Sequence, residues 1–185
     1  MNSNPQSGPP RAIVSVAGDN GAYLGLYLIL LAVFSGLSQS FGLATFLVWA
    51  GSVYLPFFLY RLLKNHYVSS GYRLSALEIW ANALLSWLLG ALLQAVAVYV
   101  LLRWAVPDFV ASQMQTAIDT FRSIGTPEGD MWAEKLENLR AVAGIPTASD
   151  VASNLIVFNI LCGAIVGFVD AVVLKLRCRP DGHKS

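Results

Sequence analysis

Charge is scarce in this chain. Lys, Arg, Asp and Glu supply only 12% of the 185 residues, while apolar residues supply 56%. Soluble domains average about 25% charged residues. So little charge cannot clothe a water-soluble fold, and much of the surface must face lipid. The net charge of +1 provides no field that would gather nucleic acid, and no nucleic-acid partner is expected. Cysteine is also rare. Cys162 and Cys178 fall on one expected helix, about 24 Å apart at 1.5 Å rise per residue, too far to bridge. The two histidines, His66 and His183, have no partners at metal-ligand spacing. No Gly-rich phosphate loop, nucleophile elbow or zinc-protease motif occurs. Neither a metal, a cofactor nor a catalytic set is expected, and the chain does not read as an enzyme.

Long uncharged runs are plentiful. From Asn20 to Tyr60 there is no charged residue. As one helix that run would be about 62 Å long, twice the ~30 Å hydrocarbon core, so it must fold back once. The polar, Gly-containing patch Ser35 to Gly42 is the place. Span one is expected near residues 22–37 and span two near 43–63, with a kink at Pro56, which removes a backbone donor and frees the Ser52 carbonyl. A basic loop follows (Arg61, Lys64, His66, Arg73). Span three is expected over 74–102, with Glu78 its only charge, and Arg103-Trp104 as an interfacial exit. Span four is expected over 151–174, started by a capping box in Thr147-Ala148-Ser149-Asp150.

Between spans three and four, residues 105–150 read as a helical insert. Val110, Met114, Ala117, Phe121 and Ile124 recur at helical spacing opposite Gln113, Gln115, Asp119 and Arg122. Thr126-Pro127-Glu128 starts a second helix, with Trp132, Leu136 and Leu139 on one side, and Gly144 and Pro146 end it. Such amphipathic helices suit a membrane surface, the mouth of a bundle or a docked partner. Residues 1–20 read as a polar, disordered cytoplasmic leader without a cleavage signal, and 180–185 as a cytoplasmic tail.

The distribution of positive charge sets an orientation. With the N-terminus inside, Arg11, Arg61, Lys64, Arg73, Lys175, Arg177, Arg179 and Lys184, eight of the twelve basic residues, lie inside. The positive-inside rule thus expects both termini in the cytoplasm and the insert outside.

The polar residues of the spans are the candidate site. Glu78, Asn82, Ser86, Gly90 and Gln94 follow at steps of four on span three, which makes one ridge on a helix. Asn159, Gly163, Gly167 and Asp170 form a similar ridge on span four. Small residues let helices approach in lipid, and amides can then hydrogen-bond across. Gly21-xxx-Gly25 and Gly163-xxx-Gly167 have that spacing. The ridge reads either as packing or as a polar pathway. Glu78 and Asp170 fall at the same end, where they serve as interfacial ion pairs or approach each other with Lys175 or Arg73 as shared partners.

The order of these features resembles a known family. It comprises the Gly- and Leu-rich Gly25 to Leu31, the basic exit Tyr60-Arg61-Leu62-Leu63-Lys64, a Gly-containing loop into Leu74 to Trp80, the triplet Pro107-Asp108-Phe109, and Asn159 to Gly167 ahead of Lys and Arg. Over about residues 20 to 179 the chain is similar to the four-span bacterial inner-membrane proteins of domain-of-unknown-function family 4199. The resemblance implies an all-α integral membrane protein of four transmembrane helices with a helical extracytoplasmic insert. It implies no activity, cofactor or catalytic residue. Genes of that family resemble neighbours of membrane glycosyltransferase genes, which points to an accessory role in cell-envelope glycosyl transfer.

Two functions follow as expectations. One is an accessory or scaffolding subunit with a membrane-protein partner or as a homo-oligomer, the lipid bilayer being its constant partner. The other is a small oligomeric transporter or channel using the polar stripe of spans three and four. The two halves of the chain show no internal repeat, which transporters usually have.

Overall fold

The computed structural model describes residues 13–38 and 41–178. Among these residues there are six α-helices and no strand: α1 (Ile13–Leu37), α2 (Gly42–Ser69), α3 (Ala76–Val100), α4 (Phe109–Ser123), α5 (Pro127–Ala143) and α6 (Ala148–Arg177). Four stretches are long and apolar enough to cross a membrane: Val14–Leu37, Gly42–Ser69, Ala76–Ala105 and Ala148–Arg177. This is a multi-pass membrane protein.

The helices outrun the expected spans. At 1.5 Å per residue the 28 residues of α2 and the 30 of α6 reach about 42–45 Å, more than the ~30 Å hydrocarbon core and close to the full bilayer with its headgroups. Arg61, Lys64 and His66, expected in a loop, therefore lie on the last turns of α2, and Lys175 and Arg177 close α6. Helical hydrogen bonding continues because a chain leaving hydrocarbon has no reason to release it at once. The expected leader is corrected in the same way: α1 begins at Ile13, and Val16, Ala17 and Asn20 are buried. Residues 1–12, Gln39, Ser40 and residues 179–185 lie outside the described residues. α2 runs as helix through Pro56.

The chain forms two compact units, divided after Gln94 and after Leu155. The first is held by Leu24 and Leu28 of α1, Leu59, Leu63 and Tyr67 of α2, Ile79, Ala83 and Trp87 of α3, and Ala171 and Leu174 of α6. Tyr27 stacks on Phe58 at 5.0 Å between ring centroids, and its hydroxyl donates to the Gly51 carbonyl at 2.8 Å. The outward faces are apolar as well: Leu43, Phe46, Trp49 and Phe57 on α2, and Leu161, Ile165 and Phe168 on α6, are exposed. Patches of this extent suit lipid, not water.

In the second unit, α3 widens into a π-helical turn at Leu101–Ala105, closed by Val106 N–H donating to Leu101 O at 2.9 Å. Pro107 stops the helix there, since the residue before a proline is pushed out of the α region. Helices α4 and α5 then form a hairpin around Ile118 and Ala133, each 1% exposed. Thr126 caps α5, its Oγ1 accepting from Gly129 N at 3.2 Å, with Pro127 next in the first turn, as the sequence led one to expect. Arg122 donates to both Glu137 oxygens at 2.7 Å, and Arg140 donates to Gln115 at 2.9 Å. The expected capping box at Thr147 is present: Thr147 N donates to Asp150 Oδ2 at 2.9 Å and Asp150 N to Thr147 Oγ1 at 3.3 Å.

Ile118 was absent from the apolar positions read from the sequence, yet it is the centre of the hairpin. Ile118→Ala is expected to cost about 2–4 kcal/mol and to accelerate amide hydrogen exchange throughout α4 and α5. The exposed Thr116→Ala serves as control. Equal exchange in both variants would show that the hairpin has no core of its own.

Candidate functional site

Where lipid surrounds a helix, any polar side chain inside the span needs a protein partner. The ridge of α3 meets this need on both of its flanks. Asn82 is 1% exposed and Ser86 fully buried. Asn20 Nδ2 on α1 donates to Asn82 Oδ1 at 3.5 Å, and Ser86 Oγ donates to the Asn82 carbonyl at 2.7 Å. Two turns further along α3, Gln94 Nε2 donates to the Leu28 carbonyl of α1 at 3.3 Å. Its Oε1 accepts from Asn159 Nδ2 of α6 at 3.0 Å, and Asn159 Oδ1 accepts from the Trp87 indole N–H at 3.3 Å. The order Leu28–Gln94–Asn159–Trp87 thus runs from α1 through α3 to α6 and back to α3.

The glycines bring these groups within reach. A Cβ on Gly90 would lie 3.1 Å from the backbone nitrogen of Gly25, and one on Gly21 would lie 3.0 Å from the Ser86 carbonyl. Here the backbones of α1 and α3 touch, as the Gly21-xxx-Gly25 spacing suggested. On α6, a Cβ on Gly163 would lie 2.8 Å from Trp87 Cβ, and one on Gly167 2.8 Å from Ala83 Cβ. The Trp80 indole N–H donates to the Ala164 carbonyl between them at 3.0 Å. Of the nine ridge residues, Asn82, Ser86, Gly90, Gln94, Asn159, Gly163 and Gly167 are joined in this way.

Glu78 stands apart from them. It is exposed in the first turn of α3. Its Oε2 accepts from Ser75 N at 2.6 Å, while Ser75 Oγ accepts from Glu78 N at 3.2 Å. This reciprocal pair is a capping box, so Glu78 satisfies the helix start and turns away from the ridge. Among the described residues no ion pair joins Glu78 or Asp170 to Lys175 or Arg73. Lys175, expected as a shared partner, places its Nζ 5.2 Å over the ring of Tyr67. Asp170 is 7% exposed, next to the core residue Ala171, and its Oδ2 has no hydrogen-bond partner among the described residues.

Sequence reasoning missed Asn20, Trp80 and Trp87. Asn20 was assigned to the leader. The two tryptophans lie seven apart on α3 with Ala83 between them, a spacing that matches the small residues of α6; that pairing was the available signal. Among the described residues there is no group of three His, Cys, Asp or Glu side chains placed to hold a metal ion.

Overpacking the tightest contact should decide how rigid this seam is. Gly163→Leu is expected to lower the unfolding free energy in detergent by about 1–3 kcal/mol. Gly36→Ala, where a methyl meets nothing within 4 Å, should leave it unchanged or slightly raised. Equal effects would mean that the α3–α6 seam is loosely packed.

No curated protein and no solved structure matches the chain. A family of membrane-sized extent does: the one described as Protein of unknown function (DUF4199) matches residues 19–175. That stretch takes in all four long apolar helices, nearly end to end, together with the α4–α5 hairpin, and the chain belongs to this family.

Proposed function

We propose that the protein is an accessory or scaffolding subunit of a bacterial inner-membrane complex, without bond-making chemistry of its own. The observation that carries this reading is the hydrogen-bond order Leu28–Gln94–Asn159–Trp87. A conduction path needs polar groups that face a passage; here the amides of the spans face one another, sealed by glycine contacts. The concentration of Arg61, Lys64, Lys175 and Arg177 on the last turns of α2 and α6 supports both termini in the cytoplasm, with α4 and α5 on the other side. The resemblance to proteins whose genes neighbour membrane glycosyltransferase genes makes an envelope glycosyl-transfer enzyme the first partner class to seek.

A second reading, a small oligomeric transporter, is favoured by one observation. Asp170 carries one buried carboxylate oxygen, Oδ2, without a hydrogen-bond partner, and such an oxygen within a span is costly unless it takes up a proton or cation.

Purification of a tagged, natively expressed copy in mild detergent, with mass spectrometry, separates the two. A single stoichiometric membrane partner, retained in Asp170→Asn, is expected. A homo-oligomer with nothing attached, whose proton or cation flux in vesicles is lost in Asp170→Asn, would overturn the scaffold reading.

A further inference from the structure

The α4–α5 hairpin is one-sided. Its polar pairs, Arg122 with Glu137 and Arg140 with Gln115, tie the two helices together along one flank. The other flank of α5 carries Trp132, Leu139 and Val142, which are 49%, 56% and 89% exposed; Ile124, at the turn between the helices, is 55% exposed. Positions 132, 139 and 142 share one side of a helix. The hairpin's own core, around Ile118 and Ala133, does not use them. Phe121 stacks against Trp132 at 6.5 Å between centroids and holds the indole at that edge.

We propose that this flank is seated in the headgroup layer of the bilayer that holds the protein's own spans, so that its partner is a lipid surface. Two observations select lipid as the occupant. The first is the tether. Only residues 106–108 separate the end of one apolar stretch, Ala105, from α4, and only 144–147 separate α5 from α6. An extended chain covers at most about 3.3–3.6 Å per residue, so both outer ends of the hairpin stay within roughly 10–15 Å of helices that enter the bilayer. The bilayer surface is therefore always in reach. The second is the Trp132–Lys135 pair, with the Lys135 Nζ 4.5 Å from the centroid of the Trp132 ring. An indole with a basic side chain drawn along it suits the boundary between hydrocarbon and water, where the ring sits at headgroup depth and the ammonium reaches the phosphates. On the opposite side of α5, Asp130, Glu134 and Ala141 are exposed, and the two carboxylates favour water there. Removing Leu139 and Val142 from water is favourable, as burial of apolar surface is. The proposal holds for either side of the membrane and does not depend on the scaffold reading.

Site-directed spin labelling tests it on the full chain. In a Cys162→Ser, Cys178→Ser background, single cysteines are placed at Leu139, Val142, Glu134 or Ala141. All four positions are exposed, so the fold is kept. The protein is reconstituted into phosphatidylethanolamine–phosphatidylglycerol vesicles, and collisions with oxygen, which concentrates in lipid, are compared with collisions with a water-soluble nickel chelate. Labels at 139 and 142 are expected to favour oxygen and those at 134 and 141 nickel. Nickel preference at all four positions would place the hairpin in water and overturn the proposal. Shielding of 139 and 142 from both agents would overturn it in favour of a second copy of the chain.

Discussion

Helices already inside a bilayer have no hydrophobic reason to touch, because lipid tails are as apolar as leucine. What remains is contact between backbones and the hydrogen bonds that such contact permits. Between α1, α3 and α6 both depend on α3. Gly90 against Gly25, and Trp87 and Ala83 against Gly163 and Gly167, bring α1 and α6 close enough for Gln94 to reach the Leu28 carbonyl on one side and Asn159 on the other. Without the glycines the amides would be stranded in hydrocarbon. Without the amides, close packing would rest on dispersion and on the Trp80–Ala164 hydrogen bond. The packing of α1, α3 and α6 in the first compact unit follows from this mutual dependence.

The remaining features are consistent with a chain that spends its polarity inward. Large apolar side chains cover the outer faces of α2 and α6. Basic residues occupy the last turns of both helices, where they can reach headgroups. The α4–α5 hairpin, by contrast, is built as soluble hairpins are, with a small apolar centre, a bidentate Arg122–Glu137 pair and a capped helix start. Two kinds of physics thus meet within one short chain, and Pro107 and Gly144 mark where one gives way to the other.

Much of this was legible in the sequence because it depends on period and on absence. Steps of four along α3 placed Asn82, Ser86, Gly90 and Gln94 together, and the lack of charge from Asn20 to Tyr60 forced a hairpin between α1 and α2. Glu78 stayed open between an interfacial structural group and an intramembrane acid, because a carboxylate three residues after a serine fits either, and the geometry of Ser75 shows the cap. Asn20 was lost because Asp19 beside it looked like the end of a leader, whereas the buried side of α1 begins earlier, at Val16 and Ala17. Trp80 and Trp87 escaped notice because an indole counts as apolar in any pattern, although its N–H is what meets Ala164 and Asn159. Helix ends ran past the expected spans because helical hydrogen bonding continues beyond the apolar run from which the spans were read.

The amides of Gln94 and Asn159 are held here to be internal glue and not the lining of a pathway. A double-mutant cycle on Gln94→Leu and Asn159→Leu, with unfolding measured in bicelles, isolates their coupling. A favourable coupling of about 0.6–2 kcal/mol is expected, with the double variant less destabilised than the sum of the singles. Strictly additive losses would contradict it and leave the two amides facing something other than each other.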